Sequence, residues 1–323
     1  MRALTWTGGT EVAVADVPEP EPAPGQVLVE VAYTGLCGTD LHICAGEHPR
    51  AKPGLVIGHE IAGTVAESAE GLAAGTRVVV DPLLACGRCD TCRNGRPHTC
   101  ENLRLVGIDV PGGAAPLVAI DADRLIPVAA PVDLRHLAFA EPLAVAVRAV
   151  RRSGPQLGQD VVVVGGGPIG AAVALCARDA GAGRVVLAEP APARREFAAA
   201  LGIDTTESAA GLRGDVVFDA AAHPAVAALV TEVAAPGGVV VLVGAYGDPT
   251  ALDLRTVTFK ELSVVGTRVY SRQDIRVATE LVASGRFDPE PFLTRTAALD
   301  EAASAIADLR RGVGLKVLVR GTS

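Results

Sequence analysis

The chain carries two different rhythms of apolar and polar residues. Up to about residue 145, short stretches such as 26–32, 61–65 and 77–80 alternate apolar with polar positions, and Gly, Pro and Asp separate them. That period of two predicts short strands with one face buried. Pro18, Pro20, Pro22 and Pro24 space an extended lead-in, expected to be polyproline II. From about residue 160 the texture changes. Val-rich runs at 161–164, 185–188, 216–219, 239–243 and 262–265 alternate with Ala-rich helical stretches. Continuous apolar strands between helices predict a parallel sheet covered on both faces. From about residue 289 a helix near 299–310 and a last strand at 316–319 follow, and that strand is able to return to the first domain. The expected fold class is α/β, in three pieces: a mostly β domain over 1–145, a doubly wound parallel-sheet domain over 146–285, and a C-terminal return over 286–323.

Composition narrows the function. A length of 323 residues suits two domains, and 49% hydrophobic with 20% charged residues suits a protein with a substantial core. Lys plus Arg is 29 and Asp plus Glu is 37, a net charge of −8, which argues against a nucleic-acid partner gripped through phosphates. Aromatics at 3% are too few for base stacking or a membrane belt. The apolar runs are too short to span a bilayer, so no membrane partner is expected. The start, MRALTWTGGTEVAVADVPEP, lacks the apolar segment of a secretion signal. With an odd total of seven cysteines, this argues against a disulfide framework and sets a cytoplasmic expectation.

Two motifs carry chemistry. The run 161–164 leads into Gly165-Gly166-Gly167-Pro168-Ile169-Gly170, which satisfies G-x-G-x-x-G, and a helix-like stretch follows. Gly165 makes the tight turn, Gly167 lets a pyrophosphate approach the backbone, and Gly170 lets helix and strand pack closely. Glu189 ends the next apolar run, nineteen positions after Gly170, where an acid accepts hydrogen bonds from ribose hydroxyls. Its charge would repel a 2′-phosphate, which favours NAD over NADP. Arg194 and Arg195 pull the other way, since a guanidinium can pair such a phosphate. The second motif is Cys86-x2-Cys89-x2-Cys92-x7-Cys100. Four thiolates at this spacing fit a closed structural zinc site, with an iron–sulfur cluster as the chemical competitor.

Three separated segments add further candidate ligands: Cys37-Gly-Thr39-Asp-Leu-His42, Gly58-His59-Glu60, and Glu141-Pro142. One Cys, one His and a carboxylate can hold zinc with a position left for substrate. Singly, each has an ordinary structural explanation: a buried thiol, a core histidine, a carboxylate at a helix start.

Together these segments resemble the zinc-containing medium-chain dehydrogenase/reductase superfamily, nearest its sorbitol, threonine and butanediol dehydrogenase branch. The resemblance runs through APGQVLVEV, CGTDLH, PGLVIGHEIAGTV, CGRCDTC closing at Cys100, EPLAVAV, VVVVGGGPIG and GLKVLVR. It implies a GroES-like catalytic domain, a Rossmann domain and a substrate cleft between them. It further implies two zinc ions per chain and NAD-linked hydride transfer between a secondary alcohol or polyol and its ketone. Cys37 and His59 match the constant catalytic-zinc ligands. Glu60 and Glu141 match two carboxylates of which either can be the resting ligand, and the sequence leaves that open. Thr39 matches the hydroxyl that touches the substrate oxygen, and His42 a proton relay to solvent. Gly165, Gly167, Pro168, Ile169 and Gly170 match the pyrophosphate turn, and Glu189 and Arg194 the adenosine-ribose contacts. Val243, Gly244, Ala245, Thr267 and Arg268 match the segments that approach nicotinamide. Asp40 reads as a structural hydrogen-bond partner, and Cys44 and Cys176 as inert thiols. Family members form dimers or tetramers, and 262–265 is a candidate edge strand for pairing between subunits.

The chain departs from the family where Gly113-Ala-Ala-Pro116-Leu117 replaces a strand that normally carries a large aromatic and a carboxylate. His48 stands where an aromatic often lines the substrate pocket. Loops near 69–75 and 205–213 are short. Two other functions fit the same sequence: a cyclitol or amino-cyclitol dehydrogenase of a biosynthetic pathway, and a non-catalytic NAD- or zinc-binding protein that keeps the fold. The coexistence of Cys37, Thr39, His42 and His59 argues against the latter.

Overall fold

The computed structural model describes residues 1–154 and 156–321. They form two compact units, one made of Met1–Pro142 with Ser271–Ser323 and the other of Leu143–Tyr270.

The first unit is built around the eleven-residue strand Gln26–Leu36. One edge of it pairs antiparallel with Glu60–Val65, which continues through Arg77–Val80 to Leu125–Val128. Its other edge is shared in succession. Gln26 to Glu30 pair with Leu117–Asp121, and Tyr33 to Leu36 pair with the C-terminal strand Lys316–Arg320. Leu293–Ala297 then lies parallel to Lys316–Arg320. Alternation places Val27, Val29 and Val31 inward, where they meet Ile61, Val78 and Ile120 in a solvent-free core. Burying each such side chain contributes about 1.5–3 kcal/mol. Helix Arg272–Ala283, which the sequence rhythm leaves with the parallel-sheet domain, packs instead on helix Leu134–Leu137 and strand Leu125–Val128 of this unit. Its start is fixed by a capping box in which Ser271 N–H and hydroxyl both donate to Asp274.

The second unit is a six-stranded, wholly parallel sheet. Its order in space is Asp204–Thr206, Arg184–Ala188, Asp160–Val164, Gly214–Asp219, Ala234–Leu242 and Ser263–Gly266. Numbered by sequence within the unit this is 3-2-1-4-5-6, the doubly wound nucleotide-binding topology. Helices Pro168–Asp179, Pro192–Ala200 and Pro224–Val233 each begin with proline, whose fixed φ and missing N–H suit a first turn. The α/β class and both architectures follow the sequence expectation.

Candidate metal centre and dinucleotide site

Cys37 caps helix Gly38–Cys44. Its Sγ accepts from Thr39 N–H at 3.1 Å, while its own N–H donates to Asp40 Oδ2 at 2.9 Å. The cap therefore fixes the thiol, and Asp40 fixes the cap. Asp40 is fully buried, and its Oδ1 also accepts from Gly58 N–H at 3.3 Å and lies 3.8 Å from His59 Nδ1. One carboxylate thus ties the Cys37 turn to the His59 turn, which agrees with the structural role read for it. Gly58 has φ +92°, and a Cβ there would press on the Thr34 hydroxyl, so glycine is required immediately before His59. As a result Cys37 Sγ and His59 Nε2 stand 3.1 Å apart.

Glu60 begins the next strand, directly opposite Gly35. Glu141 lies in the first turn of helix Ala140–Ser153 and is buried. Donor atoms of Cys37, Asp40 and His59 lie within 4.8 Å of one another, and so do those of His59, Glu60 and Glu141. The two groups share His59. Burial acts to lower the His59 pKa, but the charges of Cys37, Asp40 and Glu141 outweigh it and hold the imidazole well above its usual value. The residues fit a zinc ion: the donors are soft sulfur, imidazole and carboxylate, and Glu60 Oε2 is buried with no hydrogen-bond partner. Thr39 sits half-buried on the first turn of the Gly38–Cys44 helix. His42 is one turn on, exposed, with Nδ1 2.9 Å from Glu47 Oε2. His48 Nδ1 accepts from its own loop, from Arg50 and Ala51 N–H.

Sequence reasoning missed Lys316. Its buried ammonium donates to Glu60 Oε1 at 2.5 Å and to Leu36 O at 3.2 Å. Burial acts to lower its pKa, but the charges of Glu60, Cys37 and Glu141 prevail and raise it, so the side chain stays a cation. The only local signal is a charge at the head of an apolar strand, and the partner is 256 residues away.

Cys86, Cys89, Cys92 and Cys100 also converge, with their sulfurs within 4.8 Å of one another. Gly87 and Gly95, at φ +70° and +73°, turn the chain on either side of the short helix Asp90–Arg93. Backbone N–H groups of Cys86, Cys89 and Asn102 point at the sulfurs of Cys100, Cys86 and Cys100. The Thr91 hydroxyl, then backbone N–H groups, bring the Cys89 thiol down to about 5. Four convergent thiols with donors aimed at them fit a closed zinc site and leave no ligand position for substrate.

In the second unit, Gly165 has φ +107°, and a Cβ there would meet the Ala220–Ala221 backbone. A Cβ on Gly170 would run into the Gly165 carbonyl. Gly167 is the N-cap of helix Pro168–Asp179, so Pro168 and Ile169 form its first turn. Glu189 is buried, with Oε2 accepting from Gly166 N–H at 2.7 Å and Oε1 from Ala191 N–H at 2.9 Å. Arg194 is half-exposed, its guanidinium 3.9 Å from Glu189 Oε2, while Arg195 donates to the Glu189 and Pro190 carbonyls. Val243 and Gly244 N–H both donate to Asp219 O, and Thr267 donates to Leu242 O from its N–H and its hydroxyl. Val243, Gly244, Ala245, Thr267 and the exposed Arg268 therefore gather at the C-terminal ends of neighbouring parallel strands, where such sheets bind ligands. Tyr246, also missed from sequence, donates to Asp219 Oδ2 at 2.6 Å beside them.

Comparison with known proteins agrees with this architecture. The Alcohol dehydrogenase GroES-like domain family matches residues 23–130, and the Zinc-binding dehydrogenase family matches residues 168–284. A 2-dehydro-3-deoxy-L-galactonate 5-dehydrogenase from Pseudoalteromonas atlantica is 39% identical, covering 99% of this chain and 98% of its own. Among solved structures, a zinc-binding dehydrogenase from Sinorhizobium meliloti 1021, bound to NADP, superposes with a TM-score of 0.93 at 33% identity, covering 99% of this chain and 98% of its own. The Escherichia coli CFT073 alcohol dehydrogenase RspB, complexed with NADH, gives 0.92 at 27% identity over 99% of each chain. No helix among the described residues is long and apolar enough to cross a membrane. A mixed-donor centre, a four-cysteine lobe and a glycine turn on a 3-2-1-4-5-6 sheet thus occur in one chain with full-length dehydrogenase relatives: the chain belongs to the zinc-containing medium-chain dehydrogenase/reductase superfamily, in its sorbitol/threonine-like branch, and is an oxidoreductase that uses a nicotinamide dinucleotide and a small-molecule substrate.

Proposed function

We propose that the protein interconverts a secondary alcohol of a polyol or sugar acid with its ketone, using NAD and holding two zinc ions per chain. The observation that carries this reading is that three distant segments converge on the buried His59: donor atoms of the half-buried Cys37 on one side, and of the buried Glu60 and Glu141 on the other, each lie within 4.8 Å of it. Cys37 and His59 would hold the catalytic zinc with one of the two carboxylates, and Cys86, Cys89, Cys92 and Cys100 the structural one. When bound, the catalytic zinc supplies Lewis acidity that lowers the pKa of the alcohol.

The chain's own residues do the rest. Thr39 offers its hydroxyl to the substrate oxygen, and the proton passes on to His42, which Glu47 orients at 2.9 Å and which stands exposed to solvent. The Gly165–Gly170 turn takes the pyrophosphate at a helix N-terminus, and Val243, Gly244, Ala245, Thr267 and Arg268 border the nicotinamide. A nicotinamide held there would supply the hydride chemistry of the alcohol–ketone interconversion. Glu189 supports NAD, because a buried carboxylate held by Gly166 and Ala191 N–H at the end of strand Arg184–Ala188 would repel a 2′-phosphate. Arg194, with the NADP-bound relative, marks the opposing case. The 39% identical relative acts on a sugar acid, which favours that class over simple polyols.

A panel of polyols, cyclitols and sugar acids with NAD and with NADP, followed by reduced-cofactor absorbance, tests the reading. Turnover with NAD on a sugar acid or polyol is expected, and Glu189→Ala should weaken the preference for NAD. Equal or better use of NADP by the unmodified protein would refute the Glu189 argument. No turnover across the panel by zinc-loaded protein would refute the enzyme assignment. The sheet edge Ser263–Gly266 supports a homodimer or homotetramer, which light scattering would reveal as a multiple of the chain mass. Thiol ligands that must stay reduced suit the cytoplasm.

A further inference from the structure

The Lys316–Glu60 pair is almost wholly buried, with side-chain exposures of 5% and 1%. A buried ion pair is a weak source of stability, because two charges must be taken out of water and an apolar pair of similar size often does as well. The surrounding geometry suggests another use. Strand Gln26–Leu36 separates the partners, with Gly35 opposite Glu60 on one side and opposite Leu318 on the other. Gly35 has no side chain, and a Cβ there would overlap the Glu60 carboxylate, so the carboxylate lies across the bare strand toward Lys316. Lys316 takes Oε1, and Oε2 is buried without a hydrogen-bond partner. The Leu36 carbonyl accepts a second bond from the same ammonium and fixes it in place.

We propose that Lys316 is a positioning residue: by holding Glu60 Oε1 across Gly35, it limits Glu60 to one oxygen, Oε2, as a metal donor. The C-terminal strand thereby sets how the centre's carboxylate is presented. The proposal rests on the reading of Cys37, His59 and Glu60 as a metal centre.

Cobalt(II) in place of zinc reports the ligand set through its visible absorption, independently of turnover. Lys316→Met should free both Glu60 oxygens, change the cobalt spectrum and lower kcat about 10- to 100-fold with little change in KM, as other losses of ligand-supporting partners do. Lys316→Arg, which keeps the cation and its donors, should restore the wild-type spectrum. An unchanged spectrum in Lys316→Met, or an arginine variant that behaves like the methionine variant, overturns the proposal. If Lys316→Met does not fold, the neutral pair Glu60→Gln/Lys316→Met replaces it. Its spectrum should equal that of Glu60→Gln alone, since Lys316 acts only through Glu60, and any further shift overturns the proposal. Wild-type protein that takes up only one cobalt per chain, at the four-cysteine lobe, defeats the metal-centre reading itself and this proposal with it. Two cobalt ions with a spectrum insensitive to residue 316 defeat only the role of Lys316.

Discussion

Two clusters of ligand-type side chains lie in the same structural unit and are built in opposite ways. The four cysteines come from fifteen consecutive residues, and three of them are only half-buried. Tight turns and a one-turn helix bring their sulfurs together, so the lobe is a local structure. The other centre draws Cys37 from a helix cap, His59 from the turn before a strand, Glu60 from the first residue of that strand, Glu141 from a second helix and Lys316 from the last strand. His59, Glu60, Glu141 and Lys316 are each at most 5% exposed. Four equivalent thiols suit a metal that only holds the chain together. Mixed donors supported by Asp40 and Lys316 suit one whose chemistry must be tuned. The contrast shows that a site made by turns answers to backbone conformation, and a site made by sheet pairing answers to space and charge.

The sharpest way to break the contrast is Cys37→Ala. It should lower kcat/KM by roughly 10³-fold, with one zinc per chain retained by metal analysis. Loss of both metals would mean that the clusters are not independent. Next comes Cys89→Ser in the lobe, expected to remove one metal and to lower Tm by roughly 5–10 °C, with kcat near wild type at low temperature. A collapse of kcat at unchanged Tm would reverse the roles assigned to the two clusters. Gly35→Ala pushes a Cβ into the Glu60 carboxylate and should cost about 1–3 kcal/mol in denaturant unfolding, since overpacking forces its neighbours to shift. Wild-type stability there would show that the Glu60–Lys316 bridge does not need the bare strand. The smallest effect belongs to Gly95→Ala. No atom lies within 4 Å of the added Cβ, and only the φ of +73° resists, so about 1 kcal/mol is expected. A cost as large as that at Gly35 would mean that space, too, limits the lobe.

The same division explains what could be read ahead of the structure. The parallel sheet was legible because five of its six strands are contiguous apolar runs, and 161–164, 185–188 and 216–219 fall within observed strands; the polar sixth, Asp204–Thr206, carries no such signal. The glycine turn was legible because Gly165, Gly167 and Gly170 act through a single loop. Helix Arg272–Ala283 was not placed with its unit, because an amphipathic stripe does not say which surface it will cover. Lys316 and Gly35 escaped notice for a related reason. Gly35 lies two residues before Cys37 and Lys316 lies within GLKVLVR, yet neither stretch points to Glu60 as a partner, and their meaning depends on which strands lie side by side.

By itself, the sequence determined the α/β class, the four-cysteine lobe, the glycine turn and the identity of Cys37, His59, Glu60 and Glu141 as candidate ligands. Each of these depends on spacing along the chain or on the donor chemistry of a residue type. Only the tertiary structure decided that those ligands meet, that Asp40 joins the Cys37 and His59 turns, and that a lysine at residue 316 reaches across a glycine to Glu60. These depend on contacts that strand pairing creates between residues as far as 280 positions apart, as in the bond from the Lys316 ammonium to the Leu36 carbonyl. Such pairing follows from burying the whole core at once, and no local stretch of sequence contains it.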